Sequence, residues 1–192
     1  MPISAAGLGQ AVQDQWQLSL MRIDEWKNTV FSLNWFVLLA LFVINLFLWF
    51  RLADKRRLAE LALYTALIII WVSALDELGE EMSLWHYTAD IIPLSPPITA
   101  IDITCLPLLY MLIYQYTNRW PSFLIATAVM SVVFCFVFEP IFIRSGIYIM
   151  LAWKNWYGLP IYFLIGVATR FIMRRIMIAI YKAHGMPGQQ HG

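Results

Sequence analysis

Long apolar runs are the feature of this sequence that most restricts its fold. Four stand clear of charge and a fifth is interrupted, predicting helices over residues 34–50, 58–75, 98–116, 121–143 and 156–177. Each is close to the roughly 20 residues that cross about 30 Å of hydrocarbon at 1.5 Å per residue. Composition argues against a soluble alternative: hydrophobic residues make up 61% of the 192-residue chain and charged residues 13%, about half the charged share of an average soluble domain. A soluble domain of this length has too little interior to hide so much apolar surface, whereas lipid solvates the outer faces of its helices. The expected fold is therefore all-α and integral to a membrane, a bundle of about five transmembrane helices. Its organisation reads as an amphipathic interfacial segment over 1–33, the five-helix domain over 34–182 and a polar, Gly-containing tail over 183–192, expected to be mobile.

Lys and Arg set the orientation. Arg51, Lys55, Arg56 and Arg57 follow the first run, Arg119 lies between the third and fourth, and Arg174, Arg175 and Lys182 end the fifth. Five spans place all three groups on one side, which short basic loops mark as cytoplasmic. The N-terminus is then outside and the C-terminus inside a bacterial inner membrane. The first thirty residues lack a basic n-region and a small-residue cleavage site, so insertion is expected to depend on the spans themselves. Before the first span, Leu8, Val12, Trp16, Leu20, Ile23, Trp26 and Val30 recur at helical spacing. Such a helix either lies flat on the outer leaflet or caps the bundle by packing on its loops. The 82–97 segment holds Pro93, Pro96 and Pro97, which exclude a continuous helix and predict an interfacial loop with Pro97 in the first turn of the third span.

The depth of the acidic residues points to function. On the predicted spans Asp76 lies about 27 Å along the second helix, Asp102 about 8 Å into the third and Glu139 about 27 Å along the fourth. Because the helices alternate in direction, three of them deliver carboxyls to one level near the outer boundary, with Glu80 on the same helix face as Asp76. Carboxyls at this depth cost free energy and normally face the bundle interior or a wet cavity. Asp76, Glu80, Asp102 and Glu139 are thus the candidate ligand-binding residues, with Arg144, Lys154 and Arg170 as candidate charge partners. For Arg170 the alternative is snorkelling to the cytoplasmic headgroups. The blander alternative for the acids is a solvated helix end at Glu77, Glu80 and Glu81 and helix-locking contacts at Asp102 and Glu139. Pro140 directly after Glu139 predicts a kink or break that frees the carbonyl near Phe136, and Pro107 does the same to the third span.

Other chemistries find little support. A net charge of +1 lacks the basic stripe of a nucleic-acid binder. His86, Asp102, Cys105, Cys135 and Glu139 include no close-spaced ligand pair, so neither a metal nor a cofactor is expected. No nucleophile elbow or phosphate-binding loop is present, which places an intramembrane enzyme last among the readings. Trp153, Trp156 and Tyr157 read as interfacial anchors of the last span, with the lining of a ligand pocket as the alternative.

One spaced series crosses most of the chain: Asp76, Asp102 with Pro107 and Tyr110, Trp120-Pro121, Phe138-Glu139, Trp153-Lys154, Trp156-Tyr157 and Arg170. In this it resembles the small uncharacterised multi-span membrane proteins of spore-forming bacilli and clostridia. The resemblance implies a cell-membrane location and supplies no activity. The leading expectation is that the chain binds or transports a small cation or cationic solute at an outward-facing acidic cavity. The alternative is a structural or assembly partner in a larger membrane complex, and either role admits a homo-oligomer or a membrane-protein partner.

Overall fold

The computed structural model describes residues 5–92 and 100–183. Among them are six helices: α1 (Ala5–Thr29), α2 (Leu33–Leu52), α3 (Leu58–Glu81), α4 (Ile101–Tyr116), α5 (Trp120–Arg144) and α6 (Asn155–Ala183). The fold is all-α apart from one short two-stranded antiparallel sheet. Pro93, Pro96, Pro97 and the tail from His184 onward fall outside the described residues, so the expected Pro97 helix start and the mobile tail do too.

Three helical stretches are long and apolar enough to cross a membrane: Leu33–Leu52, Lys55–Glu81 and Trp120–Arg144. Two of the five expected spans differ from these for evident reasons. The described part of α4 is shorter, since its predicted start lies in the undescribed stretch. In contrast α6 is long but spreads Arg170, Arg174, Arg175 and Lys182 over its second half. In α2 only Leu38 is buried, while Phe36, Val43, Phe47 and Phe50 are exposed. Ile70 and Trp71 of α3, Ile125, Val129 and Phe136 of α5, and Leu164 and Phe171 of α6 are also exposed. Contiguous apolar surface of this extent is unusual on a soluble monomer.

The core lies between α3, α4, α5 and α6, centred on Tyr64, Ile68, Tyr110, Phe134, Ile165 and Met173. Four helix ends meet at one pole. There Gln115 of α4 accepts from the Asp54 N–H (2.8 Å) and donates to the Leu52 carbonyl (3.0 Å), while Tyr114 donates to Glu60 (2.6 Å). Glu60 also takes the Arg57 guanidinium on both oxygens, and the Tyr64 and Tyr114 rings stack at 4.1 Å. Arg51, Lys55, Arg56, Arg57 and Arg119 belong to this pole by connectivity.

At the opposite pole the segment after α3 pairs with the segment after α5. Strands β1 (Trp85–Tyr87) and β2 (Tyr148–Met150) are antiparallel, with Trp85 opposite Met150 and Tyr87 opposite Tyr148. The prolines predict an ordered interfacial loop here, and the structure adds a strand pairing to it. The alternation of Trp85 and Tyr87 about His86 is strand alternation, with both aromatics turned to one face. The α1 helix caps this pole by its C-terminal end. Trp26 and Trp35 indole N–H groups both donate to the Ile91 carbonyl, at 3.2 and 3.3 Å, and Glu25 lies 4.0 Å from His86. Earlier in α1, Val12, Trp16, Leu18 and Met21 remain exposed.

Candidate functional site

Two of the three deep acids sit at the same backbone irregularity. Residues Ile101–Cys105 and Phe134–Phe138 are π-helical, each within an otherwise α-helical rod. The Leu106 N–H bonds back to the Ile101 carbonyl just before Pro107, and the Glu139 N–H to the Phe134 carbonyl just before Pro140. A proline has no N–H and clashes with the carbonyl four residues back. Widening the preceding turn by one residue relieves the clash without ending the helix. The sequence reading expected a kink or break with an orphan carbonyl near Phe136. The helix continues, and the orphan is one residue earlier: Glu139 has moved its bond to Phe134, and Pro140 has no hydrogen for Cys135. Asn155, at the start of α6, donates its side-chain amide to that Cys135 carbonyl at 3.2 Å.

Asp76 of α3, Asp102 of α4 and Glu139 of α5 are 8%, 5% and 5% exposed. All three line one cavity of about 350 Å³ at the pole that carries the two strands. The rest of its wall is apolar and rich in aromatic rings: Trp85 and Tyr87 from β1, Tyr148 from β2, Trp153, Tyr162 of α6, and Phe134 and Phe142 of α5. Neighbouring rings touch in sequence, Trp153 on Trp85 at 5.1 Å, Tyr87 on Tyr148 at 5.3 Å and Phe134 on Tyr162 at 5.0 Å. The rim includes Leu78 and Met82, both exposed.

The acids are not equivalent. Asp76 Oδ1 accepts two hydrogen bonds, from the Trp85 indole at 3.0 Å and the Tyr87 hydroxyl at 2.9 Å. Burial, followed by the Asp102 and Asp76 carboxyls, pushes the Tyr87 phenol well above its usual range, which keeps it a donor. Glu139 Oε1 accepts from the Tyr162 hydroxyl at 2.7 Å. Its other oxygen, Oε2, is buried with no hydrogen-bond partner among the described residues. Native proteins rarely leave such a group unpaired, because desolvation then goes uncompensated by ~1–3 kcal/mol or more.

Other expected participants lie elsewhere. Glu80 does not reach the cavity and bonds the His86 imidazole at 3.2 Å on its outer side. Arg144 and Lys154 contribute nothing to the wall. Arg170 is at the far pole and does not meet a deep acid. Its guanidinium donates to the carbonyls of Thr117 (2.8 Å) and Asn118 (2.9 Å), capping α4, and lies over Phe123 at 4.3 Å. Arg suits this position because its planar fork satisfies two terminal carbonyls while stacking on a ring.

Just outside the cavity Asp90 is largely enclosed, and its Oδ1 has no partner among the described residues. Burial, then the charge of Glu80, raises its pKa to about 7, with Arg22 opposing and Asp102 and Glu25 adding to the rise.

Of the aromatic wall only Trp153 is a pocket candidate in the sequence, although signals for other rings exist. Trp85 and Tyr87 alternate as in a strand, and Tyr162 lies one helical turn beyond Gly158, another cavity residue. A Cβ on Gly158 would stand 3.3 Å from both Glu139 Oε1 and Cys135 Sγ and 3.0 Å from the Tyr162 ring, so the bare backbone there keeps the site open. No family model matches the chain, and neither a curated protein nor a solved structure is significantly similar to it.

Proposed function

We propose that this chain is a multi-pass protein of a bacterial inner membrane that binds or transports a small cation or cationic solute through the acidic cavity. One observation carries the reading: buried carboxyls from three separate helices line a single cavity, and one of their oxygens has no hydrogen-bond partner among the described residues. Buried acids in membrane segments typically mark ion or substrate paths. The five-span arrangement, with α2 to α6 crossing, is supported by the exposed apolar faces and by the gathering of basic loops at one pole. That pole is then cytoplasmic and the cavity faces outward.

The test is cation-dependent binding and flux in proteoliposomes for the native chain against Asp76→Asn, Asp102→Asn and Glu139→Gln. At least one variant should retain the native melting profile and lose binding or flux. Well-folded variants that all bind and transport as the native chain does would refute the reading. An assembly role has its own support in the exposed Val12, Trp16, Leu18 and Met21 of α1. Stoichiometric co-purification of one other membrane protein in mild detergent, lost when those four positions are made polar, would favour it.

A further inference from the structure

We infer that the cavity takes an organic ammonium that carries N–H groups and an apolar body, in preference to an inorganic cation; this rests on the cation-site reading above. The first ground is the supply of oxygen. An alkali or alkaline-earth ion stripped of water needs about six to eight oxygen ligands at short range. Here two of the carboxylate oxygens that line the cavity already accept, Asp76 Oδ1 from Trp85 and Tyr87 and Glu139 Oε1 from Tyr162, while Glu139 Oε2 is buried with no hydrogen-bond partner among the described residues. A buried oxygen in that state suits an N–H donor, which forms a charge-assisted hydrogen bond with it.

The second ground is the wall. Trp85, Tyr87, Tyr148, Trp153 and Tyr162 surround the same space as Glu139. Aromatic faces attract ammonium groups strongly where water is excluded, the arrangement by which aromatic cages hold alkylated amines. An inorganic ion gains less there, because it must also give up its hydration shell.

The third ground is size and entrance. About 350 Å³ is far more than an ammonium head requires and falls in the range of sites that enclose small organic ligands. The rim residues Leu78 and Met82 are apolar and exposed. On the membrane reading they stand at the lipid–water boundary, where amphiphilic amines concentrate. The head then rests on Glu139 Oε2 while the body lies along Leu75, Ile161 and Ile165. A quaternary ammonium satisfies the rings but leaves Oε2 without its hydrogen, which makes N–H content the discriminating feature.

The experiment uses the full chain in lipid nanodiscs, titrated calorimetrically with 4-phenylbutylamine. Its N,N,N-trimethyl analogue, the isosteric alcohol 4-phenylbutanol, and sodium, potassium and calcium chloride are titrated in parallel. The amine should bind saturably, with the alcohol and the trimethyl analogue each weaker by about tenfold or more. Glu139→Gln should remove most of the preference for amine over alcohol. Should that variant fail to fold, the ligand series on the native chain decides alone, and Trp153→Leu serves as the second variant, weakening the amine several-fold. Alcohol and amine of equal affinity would overturn the inference. Saturable sodium, potassium or calcium binding without amine binding would overturn this inference and leave the cation site standing. If neither amine nor metal ion binds, both readings fall.

Discussion

A Cβ placed on Gly79 would lie 2.0, 2.1 and 2.7 Å from Cζ2, Cη2 and Cε2 of Trp85. The indole therefore rests directly on the α3 backbone, one turn beyond the acid that it bonds. Gly79→Ala cannot be absorbed in place, because Trp85 is held by Asp76 on one side and by Trp153 at 5.1 Å on the other. Overpacking of this kind costs about 1–3 kcal/mol. Displacing the indole also breaks a hydrogen bond to a carboxyl, worth about 1.5 kcal/mol or more. Against these, Ala gains about 1 kcal/mol over Gly inside a helix. The net is a destabilisation of about 2 kcal/mol, or roughly 4–8 °C in melting temperature for a chain of this length. The assay is thermal unfolding in detergent, followed by tryptophan fluorescence and run as a double-mutant cycle with Trp85→Phe. The smaller ring lacks the atoms that clash, so Gly79→Ala should be neutral or slightly stabilising in that background. If Gly79→Ala is as stable as the native chain with Trp85 present, the indole does not sit where this account requires, and the cavity wall with it.

Tyr162→Phe should cost about 1–3 kcal/mol, because Glu139 then loses the donor on Oε1 while Oε2 is already unpaired; an unchanged melting temperature would refute the pairing. Arg170→Lys should not rescue the loss seen in Arg170→Ala, since an ammonium cannot span the Thr117 and Asn118 carbonyls while stacking on Phe123. Equal stability of the Lys variant and the native chain would sink the capping role. Asp90 has a folded pKa of about 7 against an ordinary value of 3.8, so the folded chain holds its proton more tightly than the unfolded one. The stability that this gives is fully present below about pH 4 and is lost as pH rises to about 7. Melting temperature should accordingly fall between pH 5 and pH 8, and Asp90→Asn should flatten the decline. An unchanged slope would show that Asp90 does not carry the dependence.

Helix positions were legible in the sequence because length and apolarity are properties of contiguous residues. So was the meeting of Asp76, Asp102 and Glu139 in one cavity wall, because rise per residue and alternating direction suffice to compute depth. What periodicity could not reach was pairing between distant segments. The three-residue strands about His86 and Ile149 stabilise each other only once α3 and α5 bring their ends together, and neither run is long enough to announce a strand. Charge partnership failed for the same reason. Arg144 and Lys154 share the level of the acids, but level is one coordinate of three. Arg170 was assessed by depth alone, and its partners proved to be backbone carbonyls, which no count of opposite charges would have suggested.

Acid, proline and π turn belong together as one construction. A helix that must present a carboxyl to an interior cavity gains from a widened turn, since the local change in winding swings the residues beyond it relative to those before. The proline makes the widening favourable by removing the hydrogen bond that would close an ordinary turn, and the orphaned carbonyl then requires a donor from outside the helix. In α5 the donor is Asn155, the first residue of α6, which ties the start of that helix to the turn behind Glu139. Tyr162 and Gly158 follow on α6, one supplying the hydrogen bond to Glu139 and the other the space beside it. The irregularity in α5 thus positions the next helix as well as the acid, so the cavity wall and the bundle are specified by the same residues.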